Sequence, residues 1–188
     1  FNEEQQITVT YTHAGRSASK TFPVIVYGIP VLSVDNGGYD GNWTADRVVF
    51  NFDSTNKLNG VKYCFKRENA TDWTVLYSNY YVVNTNGDDV YYFKAVNSEG
   101  VESEISQGYR VKFDDVKPKF TLEQSVTALT NQSYTVNIKN ITVGESGIKS
   151  ITLNGEDITG QTEFTVPENG AYTVEITANN GLSNTQTL

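Results

Sequence analysis

Apolar and polar residues alternate with a period of two along nearly the whole chain, and no window carries a 3.6-residue stripe. Ile7-Thr8-Val9-Thr10-Tyr11 alternates, His13-Ala14-Gly15-Arg16 turns, and residues 21–27 run back, so the pattern predicts a hairpin. Beyond Gly28-Ile29-Pro30 it predicts strands at 47–52, 61–67, 73–77, 80–83, 91–96 and 109–113. After the linker Asp114-Asp115-Val116-Lys117-Pro118 it predicts six more, at 120–122, 134–138, 148–153, 163–166, 172–177 and 183–188. Turn signals separate the runs, among them Asn36-Gly37-Gly38, Asn59-Gly60, Asn86-Gly87, Asn154-Gly155 and Asn180-Gly181. Short strands at this spacing predict an all-β chain of sandwiches rather than an α/β fold.

One stretch is used twice. VYYFKAVNSEGVES at 90–103 aligns without a gap on AYTVEITANNGLSN at 171–184, placing Tyr91 on Tyr172, Gly100 on Gly181 and Val101 on Leu182. Each copy follows a Gly-[Val/Ile]-Lys step, at 60–62 and 147–149. A repeat of roughly 80 residues has the size of a small sandwich domain, not of a solenoid unit. The expected organisation is a hairpin at 1–28, one sandwich at 29–116 and a second at 117–188. Two strands do not make a stable domain, so residues 1–28 are expected to close a truncated module or to dock on the next one.

The alternation Tyr91-x-Phe93-x-Ala95-x-Asn97-x-x-Gly100 resembles the F strand and F–G turn of fibronectin type III and related Ig-like modules. The 7–26 hairpin is similar to the closing hairpin of a bacterial Ig-like domain. The linker 115–118, with Gly147-Ile148-Lys149-Ser150-Ile151 and Asn169-Gly170-x-Tyr172-Thr173-Val174, resembles tandem Ig-like repeats in surface proteins of Gram-positive bacteria. That resemblance implies an extracellular, wall-attached or secreted polypeptide in which these modules serve as stalk or adhesive parts. Residues 73–83 depart from it, being longer and more aromatic than a spacer requires.

Composition narrows the chemistry. A net charge of -8 disfavours nucleic acid and direct contact with an anionic membrane, because both need clustered Lys and Arg. The single cysteine, Cys64, rules out an internal disulfide, so the sandwiches must be held by packing. One His and one Cys fill neither a catalytic triad nor a structural zinc site. The acidic pairs at 88–89, 114–115 and 156–157 lie in turns or linkers, where solvated acids are the norm. No enzyme is expected, and no cofactor is assigned.

Two candidate sites remain. Asp35, Asp40 and Asn42 lie in a glycine-rich loop that offers the oxygen ligands calcium takes, without EF-hand spacing, and Asp114 with Asp115 are candidates for a second calcium site. Trp43, Trp73, Tyr77 and Tyr80 concentrate aromatic surface in the first sandwich, as a sugar-binding face would, although strands also take aromatics for their cores. The leading expectation is a non-catalytic structural or adhesive array whose partners are neighbouring domains of the same chain and a glycan or host surface protein. The alternative is a carbohydrate-binding accessory module of an adhesin or a glycan-degrading enzyme.

Overall fold

The computed structural model describes residues 3–26, 28–55, 60–126, 128 and 130–188, all strand, turn and loop, with no helix. Two residues of the predicted pattern, Tyr27 at the end of the first hairpin and Asn59 of a predicted turn, lie outside the described residues. Sixteen strands follow in chain order. The hairpin is β1 (Glu3–His13) and β2 (Arg16–Val26). Then come β3 (Leu32–Asp35), β4 (Val48–Ser54), β5 (Val61–Arg67), β6 (Thr74–Leu76), β7 (Tyr80–Val83), β8 (Gly87–Asn97) and β9 (Tyr109–Phe113). The last seven are β10 (Lys119–Gln124), β11 (Tyr134–Thr142), β12 (Ile148–Leu153), β13 (Glu156–Asp157), β14 (Glu163–Val166), β15 (Thr173–Ala178) and β16 (Ser183–Thr187).

Every predicted strand is present. The pattern missed β3 and β13, one four residues long and carrying two polar positions, the other a two-residue return after the Asn154-Gly155 turn. That turn forms because both residues take positive φ, 50° and 87°, as a two-residue hairpin loop requires.

Sheet order repeats. Strands β3–β9 form a three-stranded sheet, β3-β4-β7, and a four-stranded one, β6-β5-β8-β9; strands β10–β16 form β10-β11-β14 and β13-β12-β15-β16. The connectivity is the same in both sets, which makes them two tandem β-sandwiches of one topology. The duplicated stretch is the β8–β9 turn of the first and the β15–β16 turn of the second. Asn97 N–H donates to Val101 O at 3.0 Å and Gly100 N–H to Asn97 O at 3.1 Å; Ala178 with Leu182 (2.9 Å) and Gly181 with Ala178 (3.0 Å) reproduce them. Tyr172 is a corner tyrosine whose hydroxyl donates to Glu168 O at 3.1 Å, while Tyr91 is buried.

By compactness the chain divides into one unit of Phe1–Gly38, Val49–Tyr81 and Val90–Tyr109, and a second of Tyr39–Val48, Val82–Asp89 and Arg110–Leu188. The first holds an aromatic core. Phe93 is fully buried and its ring lies 4.8 Å from Phe50, 4.9 Å from Phe52 and 5.9 Å from Tyr109. The second unit has an aliphatic core of Val136, Ile138, Ile151, Val174 and Ile176, closed by Phe120 and Phe164. Alternation explains both: β15 reads half-buried, buried, half-buried, buried, with Val174, Ile176 and Ala178 inward.

The hairpin is different. From residue 5 to residue 23 every position is exposed. One face carries Ile7, Val9, Tyr11 and Phe22; the other carries a ladder of hydroxyl pairs, Thr8–Thr21, Thr10–Ser19 and Thr12–Ser17, at 2.7–2.9 Å.

Candidate functional site

The linker holds the most constrained polar group described. The sequence reads Asp114 as a solvated linker acid and a candidate calcium ligand; the structure buries it completely. Its Oδ1 accepts Val116 N–H at 3.0 Å and its Oδ2 accepts Ser146 N–H at 2.9 Å. Asn180, itself buried, donates through Nδ2 to Asp114 O at 2.7 Å and Val116 O at 3.1 Å. Gly144 faces the carboxylate so closely that a Cβ there would stand 2.1 Å from Oδ1 and 2.2 Å from Oδ2. Asp115 is exposed, with its N–H bonded to Asn86 Oδ1 at 3.0 Å. A buried carboxylate persists only where such donors replace water. The linker thus shares one hydrogen-bonded cluster with the β11–β12 and β15–β16 turns. No local motif announces it, because its members are scattered over residues 114–180.

The other calcium candidates serve turns. Asp35 Oδ1 accepts Gly37 N–H at 3.0 Å; Asp40 accepts Asn42 N–H and Asn42 Nδ2–H, both at 2.9 Å, and these bonds hold its carboxyl below the usual range. Among the described residues no three His, Cys, Asp or Glu side chains gather as a metal site would need. Asp88 is paired with Arg110 in a two-pronged contact, Nε and Nη2 at 2.6 and 2.7 Å, which lowers its carboxyl.

The aromatic candidates separate. Trp43 is half-buried. Trp73, also half-buried, has its ring claimed by two ammonium groups, Lys94 Nζ at 4.7 Å and Lys66 Nζ at 5.4 Å from the centroid. Lys94 in turn bonds Glu102 at 2.6 Å. Tyr80 is half-exposed, whereas the Tyr77 ring is 101% exposed. Tyr77 borders a groove of about 500 Å³ between β5, β6 and the bend at 77–79.

Cys64 lies opposite Val75 and Lys94 on the outward face of β5, yet it is buried. Burial pushes its thiol up, against a smaller opposing pull from the Lys94 ammonium. A thiol so placed has little thiolate and little access. We expect a disulfide reagent at pH 8 to leave Cys64 unlabelled in the native chain and to label it fully in denaturant; rapid native labelling would contradict this packing.

No protein-family model matches the chain, and no curated protein does. Similar solved structures include the FN1–FN3 domains of chicken CNTN1, 14% identical, with a TM-score of 0.36, covering 97% of this chain and 73% of that one. Another is the central fibronectin-III array of RIM-binding protein, 9% identical, with a TM-score of 0.28, covering 84% of this chain and 60% of that one. The fold assignment rests on strand order and core composition, not on these overlaps.

Proposed function

We propose that the chain is a non-catalytic run of Ig/fibronectin-like modules that acts as a stalk or spacer in a larger bacterial surface or secreted protein. The modules are residues 29–116 and 117–188, preceded at 1–28 by the closing hairpin of a further Ig-like module. The apolar row of Ile7, Val9, Tyr11 and Phe22 supports the last assignment, since a two-stranded ribbon needs a second layer to be stable. The resemblance of the hairpin and linker motifs supports the extracellular setting, with neighbouring modules of the same polypeptide as principal partners.

The observation that carries the spacer reading is the Asp114 cluster. A spacer transmits position only if its joints resist bending, and a linker of a few residues is flexible unless something holds it. Here the linker is bonded to the two turns that follow it, through the carboxylate of Asp114 and the amide of Asn180. The linker is a structured element, which supports the spacer reading.

Spin labels at Asp72→Cys and Glu156→Cys, one in each compact unit, with Cys64→Ser to remove the native thiol, test this directly. A single narrow distance distribution is expected, broadening when Asp114→Ala is added. A broad distribution in the parent chain would refute a rigid joint.

A further inference from the structure

The groove beside Tyr77 has the chemistry of a carbohydrate subsite, which goes beyond the spacer reading and is independent of it. Its lining combines apolar surface from Tyr63 and Val75, the exposed ring of Tyr77, the hydroxyl of Ser78, the amide of Asn79 and the ammonium of Lys62. The bend that carries Tyr77 is fixed, because Asn79 O accepts the N–H of Phe52, a buried core residue, at 2.8 Å. A ring held in water on an anchored backbone loses little freedom when it is covered. Val75 and Tyr77 extend the apolar surface to the groove's rim, 43% and 101% exposed.

A pyranose presents C–H groups on one face and hydroxyls around its edge, matching one ring bordered by a hydroxyl and an amide. The electron-rich face of Tyr77 suits the C–H side. Among the described residues that line the groove Lys62 alone is charged, a cation in a chain of net charge -8. Local sign therefore opposes global sign here, which favours an anionic ligand. Strand addition by a peptide is the poorer fit: the edge strand β6 is three residues long and offers little ladder to extend. Trp73 is a poorer platform than Tyr77, since Lys66 and Lys94 already lie over its ring.

We propose that this groove binds an oligosaccharide containing a uronic acid, with a sugar ring on Tyr77 and the carboxylate on Lys62.

Calorimetric titration of the full chain with oligogalacturonate, with alternating glucuronate–hexosamine oligosaccharides and with a neutral galacto-oligosaccharide of equal length is the test. At least one acidic ligand should bind at least tenfold more tightly than the neutral one, and more weakly as salt is raised. Tyr77→Ala should cut that affinity at least tenfold without moving the melting midpoint, because the side chain is exposed. Lys62→Gln should erase the preference for acid. No binding of either acidic ligand at millimolar concentration overturns the proposal. So does binding that Tyr77→Ala leaves intact, as would a site that follows Trp73 or one that takes an extended peptide instead.

Discussion

Adding one methyl group at Gly144 is expected to destabilise the chain by about 3 kcal/mol or more. A Cβ at this position would stand 2.1–2.2 Å from both carboxylate oxygens of Asp114, far inside contact distance, and Asp114 is fully buried with nowhere to retreat. Either the carboxylate leaves Val116 N–H and Ser146 N–H, or the β11–β12 turn moves as a whole. Overpacking a filled site costs about 1–3 kcal/mol, and stranding a buried charged group adds to that. Chemical denaturation of Gly144→Ala measures the loss. A double-mutant cycle identifies the cause. Asp114→Ala removes the obstruction along with its bonds, so Gly144→Ala should cost little in that background, giving strong non-additivity. Additive effects would mean that the two residues do not oppose one another.

Truncating Phe93 should cost about 3–5 kcal/mol. Its ring is the hub of the aromatic core, within 6.3 Å of Phe50, Phe52, Tyr81 and Tyr109, with no exposed surface. Rings of this size do not slide in to fill the space a Phe→Ala change leaves, so the cavity persists. Trp73 lies in the same compact unit as Phe93 and Trp43 in the other, so in a Trp43→Phe background tryptophan fluorescence follows the aromatic core specifically. Phe93→Ala should lower its fluorescence midpoint sharply, and Phe93→Leu should do so by less. A loss under about 1 kcal/mol would show that the core closes around the gap.

Most of the fold was readable because it is written locally. Period-two alternation in β4, β8, β14 and β15 places Phe50, Phe93, Phe164 and Ile176 inward, and Asn-Gly pairs mark where strands reverse. The repeated stretch marks equivalent turns, since hydrogen bonds four residues apart depend on nearby sequence. Sites were less readable. Coverage of Trp73 depends on Lys66 and Lys94, residues of β5 and β8. Asp114 looked like any linker acid, because the groups that bury it, Gly144, Ser146 and Asn180, lie at least 30 positions away.

The Asp114 cluster bears on how such modules can be recombined. Its parts are scattered along one compact unit: the carboxylate from the linker, the Ser146 amide and Gly144 space from one turn, the Asn180 side chain from another. A chimera cut at the linker would inherit half of it and leave an acid facing foreign backbone. The transferable cassette is therefore residues 114–188, the whole sandwich together with the aspartate that precedes it. Grafts made from Asp114 onward should keep the melting midpoint of the parent sandwich, while grafts made at Pro118 should melt lower.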